Sequence, residues 1–159
     1  MQKYVLVKFL EPVHEGDEFI ADNYWPLHIT LVANFTVPYD AQELADVIGD
    51  KLRDQKALEL VAGADEYFGA NRDIQVTAMV MTPDMLELHK KLVGILETEG
   101  AAFDEPKYMK DGYRAHATVQ KKARLHTGDS VAIDEITIVD MFPDSDIHKR
   151  RVLQTIRFL

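Results

Sequence analysis

The sequence predicts an α+β domain in two related halves, and three observations carry that prediction. Strand-like segments outnumber helical ones along the chain. Only two stretches, 44 to 52 and 88 to 96, repeat apolar residues at helical spacing. One five-residue pattern, apolar-His-apolar-Thr-apolar, occurs twice at a wide interval, as Leu27-His28-Ile29-Thr30-Leu31 and Ala115-His116-Ala117-Thr118-Val119. Sequence identity between the halves is otherwise low.

Residues 4 to 10, rich in Val, Phe and Leu and ended by Pro12, predict the first strand. Residues 11 to 25 read as a loop with one helical turn. The first motif strand covers about 27 to 35 and stops at Val37-Pro38. Asp40 is then a good N-cap with Glu43 at the third helical position, and Leu44, Ala45, Val47, Ile48 and Leu52 give an apolar stripe, so a helix runs to about Asp54. Strands follow at about 57 to 63 and 74 to 81, separated by a turn at Gly69-Ala70-Asn71. Thr82 as N-cap and Pro83 at the first helical position open a second helix. Leu88, Leu92, Ile95 and Leu96 give its buried face, and Gly100 ends it. A loop from 104 to 113 leads to the second motif strand, and strands near 131 to 140 and 151 to 158 finish the chain.

In a strand, residues i and i+2 point the same way, so each motif presents an imidazole beside a hydroxyl. Two such strands brought together make a four-residue cluster. Its histidines suit general base and general acid roles, and its threonines suit an anionic group held between them. A single histidine before a threonine in a half-buried strand is usually a packing feature. Two copies in the same apolar frame point to function.

At 159 residues with 47% apolar content, the chain is the size of one domain with a substantial core. The absence of cysteine excludes disulfides and thiolate zinc sites and fits a reducing compartment. The first residues lack a signal-peptide pattern and no stretch has membrane-spanning length, which gives the expectation of a cytoplasmic protein that does not enter membranes. A net charge of −9 argues against a broad grip on long duplex nucleic acid. The charge is uneven. Residues 1 to 80 carry 6 basic and 14 acidic side chains, whereas residues 81 to 159 carry 12 and 13. Lys107, Lys110 and Arg114 precede the second motif, and Lys121, Lys122 and Arg124 follow it. Each alone reads as a solvated loop charge; together they suggest a local anion site.

Pro26-Leu27-His28-Ile29-Thr30-Leu31 and Tyr113-Arg114-Ala115-His116-Ala117-Thr118-Val119 resemble the paired His-x-Thr motifs of the 2H phosphoesterase superfamily, in its LigT-like branch of 2′-5′ RNA ligase and 2′,3′-cyclic nucleotide phosphodiesterase type proteins. Residues 58 to 63 and Tyr67-Phe68-Gly69 resemble the strand and turn that precede the family's central strand. Ala115 departs from the proline frequent at that position. The resemblance implies one domain over residues 1–159, in which two pseudo-symmetric lobes of antiparallel sheet with helices surround a central cleft. It further implies a cytoplasmic, monomeric hydrolase of RNA processing that needs neither cofactor nor metal. Its substrate would be a nucleotide or short RNA with a 2′,3′-cyclic phosphate or a 2′-5′ linkage.

On that reading His28 and His116 are the proton-transfer pair, in roles the sequence leaves open, and Thr30 and Thr118 bind phosphoryl oxygens. Arg114, Gln120, Tyr113, Lys122 and Trp25 are expected to contact substrate. Asn34, Tyr24 and Phe68 are weaker candidates, because residues beside a strand often serve only as packing or rim. Two alternatives keep no turnover: a nucleotide or RNA-end binding module of the same fold, and an interaction protein whose strand histidines are structural. The other histidines are expected to be peripheral, with His14 in an acidic loop, His89 at a helix edge, and His126 and His148 in turns.

Overall fold

A computed structural model describes residues 2 to 21 and 25 to 159. In chain order the elements are strands β1 (Gln2–Phe9), β2 (Glu18–Ile20) and β3 (His28–Val37), helix α1 (Ala41–Lys51), strands β4 (Leu58–Phe68) and β5 (Ile74–Met79), and helix α2 (Pro83–Thr98). Strands β6 (Ala102–Phe103), β7 (His116–Thr118), β8 (Ser130–Ile133), β9 (Glu135–Asp140) and β10 (Lys149–Arg157) follow. The strands pair antiparallel in the order β2-β10-β9-β1-β3-β7-β5-β4-β8, with β6 beside β3. The two motif strands are therefore central neighbours, one from each half of an α+β fold.

Both helices begin on side chains that supply the acceptor a first turn lacks. Asp40 Oδ1 accepts from the Glu43 amide at 2.9 Å, and Thr82 Oγ1 accepts from the Met85 amide at 3.1 Å. Such caps are each worth about 1 kcal/mol. Gly100, at φ +80°, takes the left-handed conformation that ends α2. Helix α1 buries Leu44 and Ile48, and α2 buries Met85, Leu88, Leu92, Val93 and Leu96. They meet Leu27, Ile29 and Leu31 of the first motif segment and Ala115 and Ala117 of the second in one core. Alternation then turns His28, Thr30, His116 and Thr118 to the opposite face. There a second, smaller core of Val5, Val7, Phe9, Val139 and Val152 is roofed by Val13, Phe19 and Trp25.

Several expectations are corrected. The segment 11 to 25 contributes β2, paired with β10, where a helical turn was expected; three residues carry too little periodicity to reveal a strand. Helix α1 stops at Lys51, with the Leu52 amide bonded back to the Ile48 carbonyl. Strand β4 extends to Phe68, which makes Glu66 and Phe68 strand residues. The stretch 131 to 140 is two strands divided at Asp134: β8 pairs with β4 in one half, and β9 pairs with β1 and β10 in the other. Among the described residues, no helix is long and apolar enough to cross a membrane.

Candidate active site

Strands β3 and β7 meet through the pair Ile29 and Ala117, both buried in the main core. One step to either side, antiparallel register sets His28 across from Thr118 and Thr30 across from His116. Each histidine thus faces the other motif's threonine. Diagonal neighbours on an antiparallel pair lie roughly 7–8 Å apart, so the histidines flank a space that suits a tetrahedral anion. The flanking strands close the site: β1 places Phe9 beside His28, and β5 places Ala78 beside His116 and Val76 beside Thr118.

Both imidazoles are held by the same local device. His28 Nδ1 donates to the Pro26 carbonyl at 2.9 Å, and His116 Nδ1 donates to the Arg114 carbonyl at 2.8 Å. A carbonyl only accepts, so each neutral ring carries its proton on Nδ1 and keeps Nε2 unprotonated. Such a ring can take a proton at Nε2, and its protonated form can give one back.

Their surroundings differ. Trp25 lies against His28 at 4.4 Å between ring centroids and Phe9 at 6.0 Å, and burial pushes the His28 pKa down to about 4, assisted by repulsion from His116 and opposed by the Pro26 bond. His116 meets Phe68 edge-on at 4.7 Å. Burial lowers its pKa too and the charge of Arg114 adds to this, while the Arg114 carbonyl and the charge of Glu66 oppose it.

The remaining sequence candidates divide. Trp25 is at the site. Arg114 is close, its guanidinium over the Phe68 ring at 5.4 Å, but it lies outside β7 and is engaged by Glu66 at 2.6 Å. Gln120 lies just past β7; its amide donates to the Thr118 carbonyl at 3.3 Å, and its Oε1 is buried without a partner among the described residues. Lys122 is exposed in the next bend. Tyr113 is not a cleft residue. It is buried, its hydroxyl donates to the Thr30 carbonyl at 2.8 Å, and its ring stacks on His89 at 4.0 Å. Register shifts between β1 and β3 separate Asn34 from Thr30, and its carbonyl serves the Asp104 amide. Tyr24 lies outside the described residues.

His89 corrects the helix-edge expectation, since it is fully buried. Its Nδ1 donates to the Leu31 carbonyl at 2.7 Å, and its Nε2 accepts from the Lys110 amide at 2.8 Å. With Tyr113 it braces the backbone just after Thr30. Its spacing from Met85 and Val93 on the apolar stripe was the available signal. Glu66 and Phe9 were also missed; both follow only from strand pairings that join distant segments.

The fold places the protein among the 2H phosphoesterases of LigT-like architecture. More particularly, a model of the 2′-5′ RNA ligase superfamily matches residues 8–137, and the chain belongs to that family. E. coli LigT complexed with 3′-AMP is 15% identical, with a TM-score of 0.61 over 99% of this chain and 98% of that one. The Thermus thermophilus protein TT0787 is 16% identical, with a TM-score of 0.58 over 98% and 97%. A crystal structure described as a phosphoesterase is 16% identical, with a TM-score of 0.57 over 99% and 98%. No curated protein matches the chain.

Proposed function

We propose that the chain is a metal-independent phosphoesterase that opens a 2′,3′-cyclic phosphate or cleaves a 2′-5′ phosphodiester in a nucleotide or short RNA. The observation that carries this is the crossed quartet, with both Nδ1 atoms occupied by carbonyls, which leaves both Nε2 atoms for proton transfer. One neutral imidazole takes a proton from water as its oxygen bonds to phosphorus. The other, protonated, gives its proton to the ribose oxygen as the P–O bond breaks. Thr30 and Thr118 donate to the non-bridging oxygens, where charge develops. Water is consumed, a phosphomonoester or a shortened RNA is formed, and the pair exchanges one proton with solvent to reset.

A small ligand also suits the charge. At −9 overall, the chain lacks the electrostatic footprint of a long-duplex binder. E. coli LigT has been crystallised with 3′-AMP, NADP+, ATP and phosphate, which favours a phosphate-bearing ligand here. The test is a panel of 2′,3′-cyclic mononucleotides, 2′-5′ dinucleotides and cyclic oligonucleotides, in excess chelator, followed by chromatography and phosphorus NMR. Turnover of one class without added metal is expected. A strict requirement for a divalent ion refutes the mechanism, and tight binding without turnover of any member leaves a binding module.

A further inference from the structure

We infer that Glu66 is a positioning residue that makes His116 the proton donor of the pair and leaves His28 the proton acceptor, an assignment that rests on the phosphoesterase reading. Strand pairing puts Glu66 of β4 across from Val76 of β5, and Val76 across from Thr118 of β7. Glu66 is thereby on the cleft face, two strands from the quartet. From there its Oε2 accepts from Arg114 Nη2 at 2.6 Å, closing a clamp around His116. The Arg114 carbonyl holds His116 Nδ1, its guanidinium covers Phe68, and Phe68 packs against the imidazole.

Among the described residues, the charged groups that face His116 are Arg114 from its own segment, Glu66 from β4 and His28 from β3. Arg114 and a protonated His28 both disfavour an imidazolium at 116. Glu66 neutralises the first and attracts the imidazolium directly, so it opposes the loss of the His116 proton. Among the described residues, the groups that face His28 are Trp25, Phe9 and His116. Glu11, close in sequence to Phe9, has its carboxylate bonded to the Leu27 amide, and Arg150 lies beyond Trp25 at 5.8 Å. An apolar cage with a cation behind it favours the neutral ring. The state with His28 neutral and His116 protonated therefore outnumbers its reverse tenfold for each pKa unit between them. In the forward reaction His28 Nε2 takes the proton of the attacking water. His116 Nε2–H protonates the departing ribose oxygen, which places the leaving group on the β5–β7 side of the cleft.

The experiment is an NMR titration of both histidines in the full chain, with a pH profile of kcat/KM on a 2′,3′-cyclic nucleotide, for the native protein and Glu66→Gln. The His116 midpoint is expected to fall by roughly half to one unit, and the alkaline limb of the profile to fall with it. The His28 midpoint and the acid limb are expected to stay in place, and Glu66→Asp should restore part of the shift. Arg114→Met supplies a second variant with the opposite sign, because it removes the cation and leaves the carboxylate; there the His116 midpoint should rise. An unmoved His116 midpoint in folded Glu66→Gln, an unchanged or lowered one in Arg114→Met, or movement of the acid limb alone overturns the assignment. A chain inactive on every ester refutes the phosphoesterase reading and the donor role with it, while the titration still reports whether Glu66 acts on His116.

Discussion

The two halves present their histidines with the same backbone device and surround them with different matter. Around His28 the sheet face is roofed: Val13, Phe19 and Trp25 cover a small core of Val5, Val7, Phe9, Val139 and Val152. The strands around His116 leave Val61, Tyr67 and Ile74 exposed, and the nearest cover is a salt-bridged clamp. Pseudo-symmetric backbone thus does not mean symmetric chemistry. A low-dielectric cage makes one imidazole hard to protonate, and a carboxylate nearby limits the same effect on the other.

The largest test of this comparison removes each histidine in turn. His28→Ala and His116→Ala should each lower kcat by roughly 10²- to 10⁴-fold, the usual loss for a general acid or base. The double variant should lose far less than the product, because the pair acts as a unit. Near-native turnover by either folded single variant breaks the paired mechanism.

Next comes pH. On the proposed assignment the reaction needs His28 neutral and His116 protonated, so kcat/KM should rise through an acid limb near pH 4 and fall through a limb below the ordinary histidine value of 6.5. A bound phosphate group favours both protonated rings, so the limbs of kcat should lie higher. A profile that increases steadily through pH 8 would contradict the assignment.

A smaller effect separates the two cages. Trp25→Ala admits water to His28 and should bring its titration midpoint back up toward 6.5, whereas the same truncation at Phe68 should move His116 less. NMR titration of the two variants decides it, and equal shifts would remove the contrast between the halves.

The smallest effect concerns stability. His89 is held neutral in the folded protein and its pKa is lowered by burial, so the unfolded chain binds more protons below pH 6.5. His28 and His116, lowered likewise, act in the same direction. Stability should be full above about pH 6.5 and decline as pH falls toward the folded values, near 4 for His28. Thermal melts from pH 7 to 4 check this. His89→Gln should be less stable at pH 7 by about 1–3 kcal/mol, as buried hydrogen bonds to Leu31 and Lys110 are disturbed, and should show a shallower decline.

Much of this site could be read from sequence because strand alternation is local. His28, Thr30, His116 and Thr118 share a face on both accounts, and the caps at Asp40 and Thr82 were visible from residue type and spacing. Period-two alternation states which residues of one strand agree; it does not state which strand lies beside it. Glu66 and Phe9 gained their places at the cleft through pairings across the sheet, so no local signal marked them. Tyr113 is adjacent in sequence to the motif, yet its ring was drawn inward by stacking on His89 and by the Thr30 carbonyl. The division at Asp134 escaped notice because both flanking segments are apolar and strand-like, and only their partners distinguish them.

That division also dictates an order of assembly. The strand at residues 2–9 leaves the ribosome well before β9, one of its two neighbours, and the Lys8–Asp134 ion pair at 2.8 Å closes a span of 126 residues. Until then one edge of β1 is unpaired, and Val5 and Val7 lack the Val139 and Val152 they pack against. Such non-local closure slows folding and leaves nascent chains open to aggregation. A chain truncated before residue 135 therefore keeps both histidine motifs in its sequence while lacking the two strands that complete the first half of the sheet.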